Sequence, residues 1–504
     1  MSTASWGSAH RSLILCVGIG LIATWYGILV GAYVLVPALK RTIHARAMDA
    51  LRSEFGADVR FQSFDVTFWP RIHIVASGVF IGHDTACPLI QAASADAQSD
   101  LLPWHIRTLI LTGLSVHIPT AKRPGIAPRG PAFTVTIDEI MSEHARLEIL
   151  PSAGQQTPFH FELAHLHVKN VSPNRAAEFS ALIVSSRPQA EIDASGRVGP
   201  WKAYDPGSTP LQGLYTMRRG DLATLPGLRG ALASRGQFQG VVKHIEIAGD
   251  ADASDFGLNV TGRTEALHAS FQAVVDAANG SASIEQMNGV LQISPFAASG
   301  LVSNVQDDRL RDIALQLSMS HGRLDDLLPL AVKSKTSPIS GPLRVRGKLE
   351  IIPGDQEILD RLRLEADFAA SNARFSSLNL RERLRNVSRK AQGHPRSEAA
   401  GSSLSGMQGH VRLNQGTAQF SNLMFDLEGA SARLNGSYQL ANERLNLHGE
   451  LSMSAKLSQT ARGPKRFFLK AADPFFRGKR GGSRLAIRIT GPRSDPQFGV
   501  GFKK

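Results

Sequence analysis

The amino-acid sequence predicts a mainly β chain: one transmembrane helix, then a long continuous sheet with a few short helices. Three observations predict it. Residues 13–39 carry no charged side chain, a run that at ~1.5 Å per helical residue exceeds the ~30 Å apolar core of a bilayer. Downstream, apolar and polar residues alternate at period two in segment after segment, the pattern of half-buried strands. Turn-forming residues separate those segments at roughly 10–15 residue spacing, which favours one strand following the next over separate α/β units.

Composition sets the outer limits. With 504 residues, 42% hydrophobic and 20% charged, the chain is neither disordered nor wholly membrane-embedded. Cys16 and Cys87 are too few for a disulfide framework or a structural zinc site. The span at 13–39 is longer than the ~7–15 apolar residues of a secretory signal, so it reads as a single anchor. Its flanks are asymmetric: Arg11 precedes it, whereas Lys40, Arg41, Arg46 and Arg52 follow. By charge alone the large domain would lie in the cytoplasm, a rule that weakens for long translocated domains.

Taken in order, residues 1–12 are the N-terminal flank and 13–39 the span. "RTIHARAMDALRSEFG" then reads as a helix with Ile43, Ala47, Ala50, Leu51 and Phe55 on one face and Gly56 as its stop. Residues 40–120 continue in strands around Pro70, up to a loop with three prolines at 121–131. A middle region, 121–380, holds "FTVTIDEI", "RLEIL", "FHFELAHLHVKNV" and "AEFSALIVSS" as strands. Its dense glycines and prolines between Gly196 and Gly240 predict short strands and tight turns. "GRLDDLLPLAV" reads as a short helix, and 381–406 as the remainder of a second helix and a mobile loop ending "GSSLSG". Strands resume over 407–504, where the end is basic.

The clearest alternation lies at "PLRVRGKLEII" and "RLRLEADF". Leu343, Val345, Leu349 and Ile351 face one way and Arg344, Arg346, Lys348 and Glu350 the other. Leu362, Leu364, Ala366 and Phe368 repeat the scheme, and "GVLQIS" (Val290, Leu291, Ile293) and "RLNGSYQL" (Leu434, Tyr438) extend the set. Two readings of these apolar faces stay open: a closed β core, or a groove that holds acyl chains.

No constellation for catalysis emerges. Among 16 histidines, His165 and His167 share a strand face with His160 further along, but no third ligand type has zinc spacing, and polar-face histidines are the simpler reading. "GDADASDFG" (249–257) lacks the Gly and Glu of a calcium loop and reads as a turn. The carboxylates of "DLATLP" and "LDDLLP" sit at helix starts, where Asp caps free N–H groups. The expectation is a non-enzyme with no cofactor and no metal. Charge is more telling: residues 461–504 hold twelve Lys and Arg against two Asp, so +10 of the net +13 lies there. Within "PKRFFLKAADPFFRGKR", Lys465, Arg466, Phe467, Phe468, Lys470, Phe475, Phe476, Arg477, Lys479 and Arg480 form either an interfacial helix for anionic headgroups or a basic helix packed on the last sheet. Without a recognised module the patch does not argue for nucleic acid.

After the anchor, the order of features resembles the AsmA-like family, which includes the TamB-type and YhdP-type proteins. The resemblance rests on "FDVTFWPRIHIVASGVFIG", "PLIQAASADAQSDLLPWHIRTLILTGLSVHIP", the middle stretch "GRVGPWKAYDPGSTPLQGLY" with "FQAVVDAANGSASIEQMNG", and the C-terminal "LNQGTAQFSNLMFDLEGASARLNGSYQLANERLNLHGELSMSAKLS" and "LAIRITGPRSDPQFG". It implies an elongated, curved β-sheet groove of the AsmA and chorein kind. It further implies a single-pass bacterial inner-membrane protein with residues 1–12 cytoplasmic and 40–504 periplasmic. Phospholipids, the inner membrane and the outer membrane or its proteins are the implied partners, in lipid transfer for outer-membrane biogenesis. A tethered assembly factor for outer-membrane proteins is the alternative. The chain is shorter than the long members, which leaves a full span of the periplasm open.

Overall fold

Alternation at period two decides which side chains leave each face, and pairing of segment with segment builds, among the described residues, a single sheet of 27 strands. The computed structural model describes residues 38–501 apart from 53–54, 56, 69–70, 83–87, 100–104, 122–134, 152–157, 187, 203, 279–280, 305–310, 335–336, 377–402 and 457–482. Among the described residues no helix is long and apolar enough to cross a membrane. The expected span at 13–39 lies outside them except for its last two residues, which begin a helix over 38–52. That helix buries Ile43 and Ala50. Met48, Leu51 and Phe55 pack with it on Val59, Ala76 and Ile81 of the first strands, while Lys40 reaches Asp65 at 2.7 Å.

Most pairings are between neighbours in sequence, and the others mostly skip a short half-strand. Among the described residues all are antiparallel except those of Thr136–Leu150, which runs parallel to both His105–Thr112 and Ser115–Pro119. Those two short strands are halves of one row broken at Gly113, and both also pair with Ile90–Ser99. With several such half-rows the sheet has roughly 23 rows, on the order of 100 Å along its length at ~4.8 Å per row.

Several expectations are corrected. "FTVTIDEI" and "RLEIL" belong to one strand, Thr136–Leu150, continued through a left-handed His144 (φ 54°). "GDADASDFG" is the middle of strand His244–Leu258, with its turn at 259–263; the aspartates fill the polar side and Gly249, Ala251 and Ala253 the apolar side. The Gly-rich stretch after Gly196 holds a 12-residue strand, Pro210–Asp221. "GSSLSG" is not loop throughout, since Ser403 already begins strand Ser403–Asn414. Asp221 does cap, accepting from Ala223 N–H at 2.9 Å. Asp325 and Asp326 do not cap helix Leu324–Leu327. Asp325 accepts from Gly341 N–H (3.0 Å) and pairs with Arg323, whereas Asp326 accepts from Ser294 Oγ (2.6 Å). The helix expected in 377–393 lies outside the described residues.

Candidate functional site: an apolar face running the length of the sheet

Paired residues of adjacent strands share a face, so register extends the alternation across the sheet. From Leu349 the partners toward the N-terminus are Leu315, Gly300, Ile284, Ala273, Ile247 and Phe238. Toward the C-terminus they are Leu364, Leu413, Ala418, Tyr438 and Leu445. A second row, through Gly347, passes Leu317, Ala298, Met287 and Phe271 on one side and Ala366, Val411, Phe420, Gly436 and Leu447 on the other. On the opposite face the row between them reads Gln316, Lys348, Glu365, Arg412, Gln419, Ser437 and Asn446. One face is thus apolar and the other polar along most of the sheet.

Glycines on the apolar face are spacers for rings. Tyr215 lies across Gly236 and Gly249, where an added Cβ would come within 2.8 Å of Cε1 and 2.7 Å of the hydroxyl. Phe296 covers Gly289 in the same way. The rings lie along the floor instead of standing up from it. The Tyr215 hydroxyl bonds Ser234 Oγ (3.1 Å), which donates to the Asp250 carbonyl (2.9 Å). Burial raises the Tyr215 pKa, against the lowering effect of that hydrogen bond.

The sheet coils onto this face, bringing opposite rims together. One rim carries the turn Gln292–Ile293, and the other carries Gln415–Gly416. Ile118 and Ile149 of the first rim pack with Val242 and Ala277 of the second, beside Trp201. Pro226 of the first rim accepts from the Ile358 N–H of the second at 2.8 Å. A third closure is made by residues 324–334, which cross from the first rim to Glu443 on the second. Between closures, over strands such as Thr264–Asp276 and Arg311–Arg323, Ile247, Phe271, Leu315 and Leu317 stay half-buried. Under the third closure Leu413, Ala418, Leu434 and Tyr438 of the same face are buried, Leu434 at 1% exposure, while Val411, Phe420 and Leu445 stay half-buried.

The predicted groove residues therefore divide. Val345, Leu349, Ile351, Leu362, Leu364 and Phe368 lie half-buried on the apolar face, paired as Val345–Phe368, Leu349–Leu364 and Ile351–Leu362. Leu291, Leu343, Leu434 and Tyr438 share that face but are buried core. Val290 is misassigned: neighbouring strand residues point to opposite faces, so with Leu291 inward Val290 sits on the polar face. Ile293 occupies the turn and is 69% exposed. Sequence reading missed Tyr215, Phe238, Ile247, Phe271 and Met287. Their alternation is visible locally, but their union into one face is a matter of register. The ten docking candidates from Lys465 to Arg480 lie outside the described residues.

On the polar face, histidines meet carboxylates across strands: His73–Asp96 (2.6 Å), His105–Asp138 (2.9 Å), His160–Glu148 (3.1 Å) and His410–Asp367 (2.9 Å). His165 and His167 stand near Glu143 (4.0 Å) and Glu139 (3.8 Å). Among the described residues no group of three or more His, Cys, Asp or Glu is placed to hold a metal ion. The polar face also carries a depression of about 590 Å³ bordered by Thr216, Arg235, Asp250 and Gln272. What the arrangement can do chemically is shelter extended apolar matter on one side and stay wetted on the other. No family model, curated protein or solved structure matches the chain.

Proposed function

We propose that this chain is a membrane-anchored carrier whose apolar face shelters phospholipid acyl chains in passage between membranes. One observation supports it above the others: apolar rows that continue from strand to strand, half-buried where none of the described residues forms a second layer over them. Exposed apolar area of that extent is a binding surface in waiting. Each methylene it covers contributes ~0.8 kcal/mol, so a long acyl chain binds without a specific headgroup contact. In keeping with the AsmA-like resemblance, the anchor at 13–39 lies in a bacterial inner membrane and the sheet in the periplasm, with no catalysis. The basic segment from Lys465 to Arg480 serves to dock on anionic headgroups at ~1 kcal/mol per engaged cation, screened by salt.

The test is lipid extraction and mass spectrometry of the full chain purified in a non-lipid amphipol, with photo-crosslinkers at Phe271 and Val345. Co-purifying phospholipid and lipid adducts at both positions are expected. Absence of both would remove the carrier reading. A second reading, assembly of outer-membrane proteins by strand addition, is favoured by the strand Gln497–Gly501, which among the described residues pairs on one side only. Under that reading a charge placed at Phe271 leaves assembly intact.

A further inference from the structure

We infer that residues 324–334 form a built-in gate, lying where acyl chains would lie over the C-terminal strands and latched there at both rims. The inference rests on the acyl-chain reading and concerns its regulation. After Arg323 the segment leaves the first rim, and Leu324 enters the buried cluster of Leu343, Met407 and Leu434. Leu328 touches that cluster and also the one built on Leu413, Ala418 and Tyr438 near the second rim, so it lies across the face between them. Val332 is 4% exposed within the second cluster. The chain then returns to the first rim, where Ile339 pairs with Phe375.

The covered surface does not differ in kind from the open surface. A single register row runs from half-buried Ile247 and Leu315 to buried Leu413 and Ala418. Leu413, Ala418 and Tyr438 of the row are buried in the cluster that Leu328 and Val332 join. Four aliphatic side chains of the segment, Leu324, Leu327, Leu328 and Val332, thus stand in for the methylenes of a bound acyl chain. What holds them is polar and sits at the rims. Asp326 accepts from Ser294 Oγ (2.6 Å) and Arg263 donates to the Ser334 carbonyl (2.9 Å). At the far rim Glu443 accepts from Lys333 N–H (2.8 Å), and Lys333 Nζ donates to the Ala441 carbonyl (2.8 Å). Glu443 also takes two hydrogen bonds from Arg493, each 3.3 Å. The polar ties of the segment to the second rim are one exposed lysine and one carboxylate, beside the packing of Val332, so its release there breaks no strand pairing.

The experiment uses the full chain in vesicles containing a fluorescent NBD-phosphatidylethanolamine, with p-benzoylphenylalanine replacing either Phe271 (open stretch) or Phe420 (under the segment). A strong lipid adduct at Phe271 and a weak one at Phe420 are expected. Glu443→Ala with Arg263→Ala should raise the Phe420 adduct about tenfold, equivalent to 1.4 kcal/mol, and leave Phe271 unchanged. Hydrogen exchange in the same variant separates release from unfolding: amides of 328–334 lose protection while Thr417–Leu427 and Ala430–Gln439 keep theirs. Equal adducts at both positions in the parent chain would overturn the gate, as would an unchanged Phe420 adduct in the variant. Joint loss of protection across the strands would also overturn it, marking 324–334 as a fixed second layer. No adduct at either position in any form would remove the acyl-chain reading itself, and the gate with it.

Discussion

Gly249→Ala is the sharpest probe of how the apolar floor is built. The added methyl would meet the Tyr215 hydroxyl at 2.7 Å and the Arg235 carbonyl oxygen at 2.6 Å, both inside contact distance. The ring must lift, which breaks its bond to Ser234, and the strand must shift slightly away from Arg235. Overpacking of this kind costs about 1–3 kcal/mol and the lost hydrogen bond about 1 kcal/mol, so a total near 2–4 kcal/mol is expected. Urea unfolding with the intrinsic tyrosine and tryptophan signal measures it. Tyr215→Ala should relieve the ring's share but not the carbonyl's, so the double variant should be about 1–2 kcal/mol more stable than the two single effects added. Strict additivity, or a neutral Gly249→Ala, would refute the picture of a tyrosine lying flat over glycines.

Other expectations are more direct. Leu434→Ala, at a side chain 1% exposed, should cost about 2–5 kcal/mol, whereas Val290→Ala on the polar face should stay within about 0.5 kcal/mol; thermal unfolding compares them. Phe271→Asp places a charge on the half-buried open face and should abolish co-purifying phospholipid while shifting the melting temperature little, as mass spectrometry and calorimetry would report. Burial acts to raise the Glu443 pKa, but hydrogen bonds from Lys333 N–H and Arg493 outweigh it and hold the group below its ordinary 4.5. A depressed carboxyl contributes stability above its unfolded value and loses it as pH falls through the lower folded one. Protection of the 324–334 amides should therefore be constant above about pH 5 and fall in more acidic buffer.

Much of this architecture is legible in the sequence, because period-two alternation is a local property. "PLRVRGKLEII" and "RLRLEADF" pair as their patterns suggest, with Leu349 opposite Leu364 and Lys348 opposite Glu365. Legibility fails where the inward side chains are small. In "GDADASDFG" the apolar side consists of glycine and alanine, so the outward aspartates dominate and the strand resembles a turn. Gly196 and Gly213 mislead for the same reason. They look like punctuation in the chain, yet they sit in a row between Phe179 and Phe238. Rim closures are beyond sequence reading altogether. Nothing near Val332 announces Tyr438, and nothing near Pro226 announces Ile358, since these contacts depend on how far the sheet has coiled over many strands. The His–carboxylate pairs are likewise hidden, because the partner of His105 is Asp138, across a parallel register.

The neighbour-to-neighbour pairing of nearly all strands has a consequence for how the molecule is made. When each strand needs only its predecessor, loop closure along the chain is short, and structure can grow from one end as the polypeptide emerges. The parallel row at Thr136–Leu150 is a place where growth must wait, because the chain has to double back before its template is usable. Past that point the sheet behaves as a quasi-one-dimensional array in which each new strand adds its own increment of stability at an interface with the last. Such an array keeps a sticky leading edge until the next strand arrives, so a pause in delivery leaves the chain exposed to wrong partners. Residues 324–334 are synthesised before most of the strands they will cover. They are a wall built ahead of its room, waiting for Thr417–Leu427 and Ala430–Gln439 to grow in beneath them.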